Sequence, residues 1–145
     1  MFISSLHSSV NIETGIAHGG SLCLTASLLA LLELEEMKNN SISQDKIIKR
    51  KVIGIDIDIR KHNRELIENH FLSDKIEMIE SSSVNKDTFN KIKSLSKDYS
   101  NILVMLDSNH TESHVLEELN LYSSLISKNS YCICLLYTSP SPRDS

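Results

Sequence analysis

The chain has 145 residues, 40% of them hydrophobic and 23% charged, so it is long and apolar enough for one packed domain. Fifteen Lys and Arg against nineteen Asp and Glu give a net charge of −4, which argues against nucleic acid or an anionic membrane as partner. No apolar run approaches the roughly 20 residues that span a bilayer, and the N-terminus lacks a secretory signal pattern. Three cysteines make no disulfide framework, so we expect buried, reduced thiols in a cytoplasmic protein.

Short β-branched runs alternate with helical runs along the chain, which is typical of β-α units around a parallel sheet. The predicted strands are Ser9–Glu13, Lys51–Asp56, Lys75–Glu80, Asn101–Asp107 and Tyr131–Cys134. The predicted helices are Gly19–Met37, Arg60–Phe71, Asn85–Lys97 and Thr111–Ile126. This order predicts a Rossmann-like, doubly wound α/β fold with a mostly parallel sheet.

Two of the helices carry more detailed predictions. The first is apolar on nearly every face, so we expect it to be well buried. In the second, Leu66, Ile67, His70 and Phe71 form the expected inner face, and Asp58 is the expected N-cap. The polar segment 38–51 is predicted to be a loop, with a helical turn around residues 45–49.

The C-terminal end differs in composition from the rest of the chain. Its only prolines, Pro140 and Pro142, lie within the last six residues, after 139 residues without proline. We interpret residues 1–134 as a partial domain and residues 135–145 as a non-native or disordered tail. A flexible native terminus is the alternative.

The first candidate site is the strand-to-helix turn IETGIAHGGS, residues 12–21. Gly15 allows a tight turn, and Gly19 and Gly20 let the backbone approach a ligand at a helix N-terminus. The glycine spacing is not that of dinucleotide enzymes. Glu13, at the strand end, would repel a pyrophosphate but accept hydrogen bonds from amines and hydroxyls. The turn therefore favours a nucleoside with a cationic group, and a plain β-α connection is the alternative.

Two later strand ends also carry carboxylates. Asp56 is placed to accept both hydroxyls of a ribose. Asp107, in LDSNHT, can bind a hard divalent cation or an amine of the ligand. His110 has the chemistry of a general base. An equally open reading is that Asn109 and Glu112 cap the next helix while His110 is merely exposed.

Three strings together closely resemble the cephalosporin hydroxylase family: IETGIAHGGSL, VIGIDIDIRKHNRELIENH and LVMLDSNHTESHVLEEL. The resemblance is collinear from about Asn11 to Cys132. It implies the fold of class I S-adenosylmethionine-dependent methyltransferases, similar to the catechol O-methyltransferase type. It also implies a Mg²⁺ ion that grips the oxygens of the acceptor.

The resemblance implies roles for individual positions. The turn that meets the methionine part of S-adenosylmethionine would contain Glu13, Gly15, Gly19 and Ser21. Asp56 would hold the ribose and Ser83 would lie near the adenine, although the run Ser81–Ser83 fits a plain turn equally well. Asp107 corresponds to the first acidic ligand of the magnesium ion. His110 stands where the catechol-type enzymes have a lysine base.

The chain departs from the family after SYCIC, where LLYTSPSPRDS replaces an Asp-Thr motif and an acidic pair that complete the metal site. Two further strands and an N-terminal segment are also absent. We therefore expect a fragment with an incomplete metal site that is inactive as this chain. The fifth strand would be left as an unpaired edge, which favours self-association into a homo-oligomer.

The resulting hypothesis is a fragment of an S-adenosylmethionine-dependent, divalent-metal-assisted O-methyltransferase. Its acceptor would be the hydroxyl of a small molecule that the sequence does not identify. Two alternatives are a hydroxylase of a β-lactam-type small molecule and a non-catalytic nucleotide-binding module.

Overall fold

The computed structural model describes residues 9–40 and 50–135. Within these ranges the sheet consists of β1 (Ser9–Thr14), β2 (Lys51–Asp56), β3 (Ile76–Glu80), β4 (Asn101–Leu106) and β5 (Cys132–Cys134). The helices are α1 (Gly20–Asn40), α2 (Lys61–Glu68), α3 (Lys86–Ser96) and α4 (Glu112–Tyr122). All strand pairs are parallel and the strand order is β3-β2-β1-β4-β5. The predicted Rossmann-like α/β fold is confirmed.

The sheet separates two apolar clusters, because neighbouring residues of a strand point to opposite faces. Val52 of β2 belongs to the cluster that holds Leu22 and Leu29 of α1, whereas Ile53 belongs to the cluster that holds Ile92 of α3. The chain leaves β1 toward β2 and β3 and later returns to its other side as β4. The crevice between β1 and β4 is thus the switch point of the sheet, where open α/β folds bind ligands.

The expected burial of α1 is wrong for its outer side. Leu22 and Leu29 are fully buried, but Leu24 is 62% exposed and Leu31 and Leu34 are each 59% exposed. A helix that packs on a sheet buries only the stripe of side chains that faces the sheet. In the described part of the chain, the opposite side of α1 is exposed. Leucines on every face of α1 therefore did not imply burial on every face.

The second helix is shorter than predicted and ends at Glu68. The side-chain amide of Asn69 donates a 2.8 Å hydrogen bond to the carbonyl of Glu65. The backbone amide of His70 donates at 3.1 Å to the carbonyl of Ile67, three residues earlier, and this bond ends the α-helical pattern. Of the predicted inner face only Ile67 is buried, whereas Phe71 is 83% exposed because it lies beyond the helix end. Leu66 is also exposed, on the outer side of α2.

Asp58 is not the N-cap of α2. The cap position is Arg60, which makes no side-chain cap hydrogen bond. The preceding amide of Ile59 donates instead to Oε2 of Glu80, at 2.8 Å. A carboxylate of β3 thus holds the segment just before α2, which sequence proximity alone does not indicate.

The remaining elements differ little from prediction. α4 ends at Tyr122, and the last predicted turn is the 3₁₀ helix Ser123–Leu125. The three cysteines are free and half-buried rather than buried. The predicted turn at residues 45–49 and the tail beyond residue 135 lie outside the described residues. In the described part of the chain, no helix has the length and apolarity to cross a bilayer.

Candidate functional site

A cavity of about 280 Å³ opens at the carboxyl ends of the central strands. The loops after β1, β2, β3 and β4 line it. Its volume is near the lower end of the roughly 300–1,000 Å³ typical of small-molecule sites. The cavity brings together four of the predicted site residues, Gly15, Asp56, Ser83 and Asp107.

Gly15 closes the floor of the cavity by bringing the loops after β1 and β4 into contact. Its φ is +88°, and a Cβ on it would lie 2.0 Å from the carbonyl oxygen of Asp107. Its amide donates a 2.7 Å hydrogen bond to the carbonyl of Ile55. A side chain is excluded here by both backbone conformation and space. The predicted tight turn therefore exists, and it shapes the cavity.

Gly19 serves packing rather than contact with the cavity. Its φ is +84°, and a Cβ on it would lie 2.3 Å from Cδ1 of Ile67. It is not among the residues that line the cavity. The absence of a side chain at this position lets the first turn of α1 lie against α2.

Glu13 lies inside the fold and outside the cavity wall. It is 2% exposed, and its two carboxylate oxygens accept hydrogen bonds from Ser21 at 2.8 Å and Thr25 at 2.5 Å. These contacts join the end of β1 to the first turns of α1. The structure thus gives Glu13 and Ser21 anchoring positions behind the glycine turn, and neither residue lines the cavity. Their contact with a ligand stays a prediction.

Asp56 faces the cavity, but most of its acceptor capacity is already used. Oδ2 accepts from the amides of Ile16 at 2.8 Å and Ala17 at 3.2 Å, and Oδ1 accepts from the amide of Asp58 at 3.2 Å. A carboxylate has about four lone-pair positions, so these contacts leave about one for a ligand. The carboxylate both holds the glycine turn in place and presents one acceptor to the cavity.

Asp107 follows β4 and lines the cavity next to Gly15. Its amide donates to the carbonyl of Thr14 at 3.0 Å, which fixes the loop onto β1. His110 does not line the cavity, and its Nε2 lies 3.8 Å from Oδ1 of Asp107. The N-cap of α4 is Thr111, whose amide bonds to the side chain of Asn109 at 2.9 Å.

The predicted magnesium site lacks support in this geometry. Mg²⁺ takes an octahedron of oxygen ligands, several of them waters and one or two of them carboxylates held in place by the fold. In residues 9–40 and 50–135, no three side chains of the His, Cys, Asp or Glu type come together in a way that could hold a metal. Asp107 is a single half-buried carboxylate with an imidazole beside it.

At one wall of the cavity, Ser83 contacts two residues that the sequence analysis did not assign, Glu118 and His114. Ser83 is 5% exposed, and its hydroxyl donates a 2.5 Å hydrogen bond to Glu118, which is 1% exposed. Ser108 donates to the same oxygen of Glu118 at 2.6 Å, and His114 lies beside all three. His114 and Glu118 are one turn apart on α4, on the stripe that faces the sheet. A helical glutamate ordinarily indicates a solvated face, so no local signal marks this one.

Two further features of this wall support its rigidity and shape. The buried phenol of Tyr122 donates a 2.8 Å hydrogen bond to the carbonyl of Ser83. Burial, and secondarily the Glu118 carboxylate, raises the pKa of Tyr122 well above its usual range, which keeps the phenol a donor. Ile57, which follows Asp56, also lines the cavity and is 75% exposed, so it offers an apolar surface to a flat ring.

The parallel five-stranded sheet, with its cavity at the switch point and an acidic residue after β2, defines a Rossmann-like fold of the methyltransferase type. A family model described as Rhamnosyl O-methyltransferase/CmcI matches residues 1–136, and the chain belongs to this family, the cephalosporin hydroxylase family. The resemblance inferred from the sequence is thereby confirmed. A search of curated proteins gave no match.

Proposed function

We propose that the chain carries the S-adenosylmethionine-binding part of an O-methyltransferase that acts on the hydroxyl of a small molecule. The family description supports methyl transfer to oxygen. The observation that carries the proposal is Asp56, a strand-end carboxylate that faces the cavity with one acceptor position left. A ribose hydroxyl is the kind of donor that such an acceptor binds.

The cavity has room and chemistry for the nucleoside. Asp56 would accept one ribose hydroxyl, and the exposed face of Ile57 would lie against the base. The base edge would face the wall that contains Ser83. The methionine part would extend toward Gly15 and Ala17, where the absence of a side chain at Gly15 lets backbone atoms approach the ligand.

S-adenosylmethionine, when bound, supplies a sulfonium methyl group, and in the transfer the C–S bond breaks as the bond to the acceptor oxygen forms. The main contribution of the chain is to hold the nucleoside so that the methyl group points at the acceptor. The acceptor hydroxyl must lose its proton. His110, half-exposed beside Asp107, is the residue we propose to take it.

We propose no step through a metal ion. Asp107 remains the residue that would contribute a carboxylate to a magnesium site, but the described residues around it do not provide a fitting set of ligands. In this proposal Asp107 has a different place. Its Oδ1 lies 3.8 Å from Nε2 of His110, so the carboxylate flanks the imidazole that we propose as the base.

The two alternatives from the sequence are less well supported. A hydroxylase would need oxygen and a redox group, and the family description names an O-methyltransferase. A non-catalytic nucleotide-binding module would use the same cavity. It would differ in one measurable respect: S-adenosylmethionine would not be converted to S-adenosylhomocysteine with any hydroxyl acceptor.

Calorimetric titration of the chain with S-adenosylhomocysteine tests the binding half of the proposal. We expect saturable binding that Asp56→Asn weakens by roughly tenfold or more, because a charged hydrogen bond is lost. Asp58→Asn is the matched control, since Asp58 is exposed and does not line the cavity. Equal affinity in wild type and Asp56→Asn, with both folded, would contradict the assignment of the pocket.

The transfer half is tested with labelled S-adenosylmethionine and a panel of sugar, phenol and other hydroxyl acceptors. With one of these acceptors we expect the enzyme to form a labelled methyl ether and S-adenosylhomocysteine in equal amounts. His110→Gln should lower the turnover and leave the affinity for S-adenosylhomocysteine unchanged. Dependence of turnover on iron and oxygen would instead favour the hydroxylase.

A further inference from the structure

Ala17 stands in the glycine turn with a backbone conformation that residues with a side chain rarely adopt. Its φ is +47°, between Gly15 at +88° and Gly19 at +84°. The amide of Gly19 donates to the carbonyl of Ile16 at 2.8 Å, so Ala17 is the first central residue of a four-residue turn. A positive φ at that position favours glycine. Such strain persists only where the surrounding structure holds the residue in place.

Two hydrogen bonds from different elements hold the backbone of Ala17. Its amide donates to Oδ2 of Asp56, at the end of β2, over 3.2 Å. Its carbonyl accepts from the side-chain amide of Asn63, on α2, over 3.1 Å. A carbonyl has no hydrogen to donate, so the side-chain atom of Asn63 that faces it must be the nitrogen. Both polar backbone atoms of the strained residue are thus engaged.

Asn63 is part of the packed side of α2. It is 7% exposed, and it and Ile67 are the two buried residues of that helix. Both meet the glycine turn, since a Cβ on Gly19 would lie 2.3 Å from Cδ1 of Ile67. Burial of an amide side chain costs free energy unless the amide is hydrogen-bonded, and the bond to Ala17 offsets part of that cost. The buried side of α2 therefore supports the turn through one polar and one apolar contact.

The conformation of Ala17 also affects the carboxylate of Asp56. Oδ2 of Asp56 accepts from the amides of Ile16 and Ala17 together. Because β1 and α1 anchor the two ends of the turn, relief of the positive φ requires rotation of the peptide plane between Ile16 and Ala17. That rotation turns the amide of Ala17 away from Oδ2. Asp56 would then lose one of the donors that orient it.

We propose that Asn63 is a positioning residue for the ligand acceptor of the cavity. Its side-chain amide holds Ala17 in the left-handed conformation. The turn thereby keeps the carboxylate of Asp56 in the orientation that accepts a ribose hydroxyl. This inference rests on the proposed function, because the hydroxyl belongs to the nucleoside proposed for the cavity. Asn63 does not line the cavity, so it acts on the ligand through Ala17 and Asp56.

Asn63→Ala tests the inference by calorimetric titration with S-adenosylhomocysteine. We expect the affinity of the folded variant to fall roughly tenfold, as on loss of one well-placed hydrogen bond. Asn69→Ala is the matched control, because Asn69 is exposed at the end of the same helix and its amide donates to the carbonyl of Glu65. It should bind as tightly as the wild type. A purely structural Asn63 would lower the melting temperature on substitution and leave the affinity unchanged, which would overturn the inference.

Asn63→Leu is the second variant, for the case in which Asn63→Ala does not fold. Leucine has the branched outline of asparagine, fills the buried position and cannot donate a hydrogen bond to Ala17. Its affinity for S-adenosylhomocysteine should also fall roughly tenfold. Wild-type affinity in folded Asn63→Leu would overturn the inference.

Ala17→Gly tests the step through the turn. Glycine adopts a positive φ without strain, so the turn depends less on Asn63. In the Ala17→Gly background, Asn63→Ala should therefore lower the affinity by less than roughly threefold, against roughly tenfold in the wild-type background. An undiminished loss would overturn the inference, because Asn63 would then act by another route.

Asp56→Asn tests the last step. A positioning residue contributes little once the group that it positions is altered, so Asn63→Ala should add less than roughly threefold to the loss caused by Asp56→Asn. Fully additive losses would overturn the inference. Unchanged affinity in the folded Asn63 variants would overturn this inference alone. No binding of S-adenosylhomocysteine by the wild-type chain would overturn the proposed function, and this inference with it.

Discussion

The hydroxyl of Tyr122 donates a 2.8 Å hydrogen bond to the backbone carbonyl of Ser83. This contact links the end of α4, which is fully buried at Tyr122, to the loop after β3 that lines the cavity. Phe89 of α3 packs edge-on against the same ring, with 5.6 Å between the ring centroids. The cavity wall that contains Ser83 is therefore continuous with the hydrophobic core, and its stability can be measured by core substitutions.

Tyr122→Phe should lower the free energy of unfolding by about 1–3 kcal/mol at pH 7, because the carbonyl of Ser83 loses its buried partner. Urea unfolding followed by circular dichroism measures this. A variant as stable as wild type would show that the carbonyl is satisfied without the phenol.

The same substitution has a predictable dependence on pH. Burial raises the pKa of the folded Tyr122 above its ordinary value of 10.0, so the folded state keeps its proton longer than the unfolded state. The resulting stability is fully present below about pH 10 and is lost as the pH rises above it. The difference in unfolding free energy between wild type and Tyr122→Phe should thus shrink above pH 10. A difference that stays constant up to pH 11 would contradict the raised pKa.

Gly15→Ala should destabilise the fold by more than about 2 kcal/mol, because the new Cβ would meet the carbonyl of Asp107 at 2.0 Å in a backbone with φ of +88°. Gly20→Ala is the matched control, since a Cβ at Gly20 meets no atom within 4 Å. That control should be neutral or slightly stabilising. Thermal unfolding of both variants measures the contrast, and similar melting temperatures would show that the turn can adapt.

The sequence predicted the structure best where the pattern of a single segment determines its position, as in a central strand. The apolar run of β2 gave both strand ends correctly, Lys51 and Asp56, because a central parallel strand is buried on both faces. It predicted the structure least well where a side chain contacts residues that are distant in the sequence. The amide of Ile59, just before α2, bonds to Glu80 and not to Asp58. Glu118 accepts hydrogen bonds from Ser83 and Ser108 only because the topology brings the loops after β3 and β4 together.

The residues of the cavity show the same contrast. Gly15 and Asp56 line it, and both could be singled out from the sequence because a glycine turn and a strand-end carboxylate have local signatures. The anchoring contacts of Glu13 were not foreseen, since the same acidic strand end fits either a ligand contact or a bond to Thr25 of the following helix. Only the packing of α1 against β1 distinguishes these two cases.

Thr25→Val tests whether Glu13 is an anchor. The change removes the hydroxyl that donates to Glu13 and keeps the side-chain volume, so it should cost about 1–3 kcal/mol of stability. The affinity of the folded protein for S-adenosylhomocysteine should not change, because neither residue lines the cavity. A fall in affinity at full folding, measured by calorimetry, would support the predicted contact of Glu13 with the ligand.

Asp107 gives a prediction about magnesium. A single half-buried carboxylate binds Mg²⁺ weakly, since affinity for hard cations grows with the number of oxygen ligands that the site fixes. Addition of EDTA, or of millimolar Mg²⁺, should therefore leave the affinity of this chain for S-adenosylhomocysteine unchanged. A magnesium-dependent gain in affinity that Asp107→Asn abolishes would instead establish a functional metal site.

Cys132 and Cys134 lie two residues apart on β5 and give the last prediction. Burial raises the pKa of Cys132 to about 11, with further contributions from Cys134 and the Glu118 carboxylate. Alkylation requires the thiolate, so at pH 8 Cys132 should react roughly 100-fold more slowly in the folded chain than in urea. Mass spectrometry after iodoacetamide treatment measures both rates. The rate for the folded chain should rise steadily as the pH approaches 11, and a rate at pH 8 equal to that in urea would mean that β5 does not stay paired with β4.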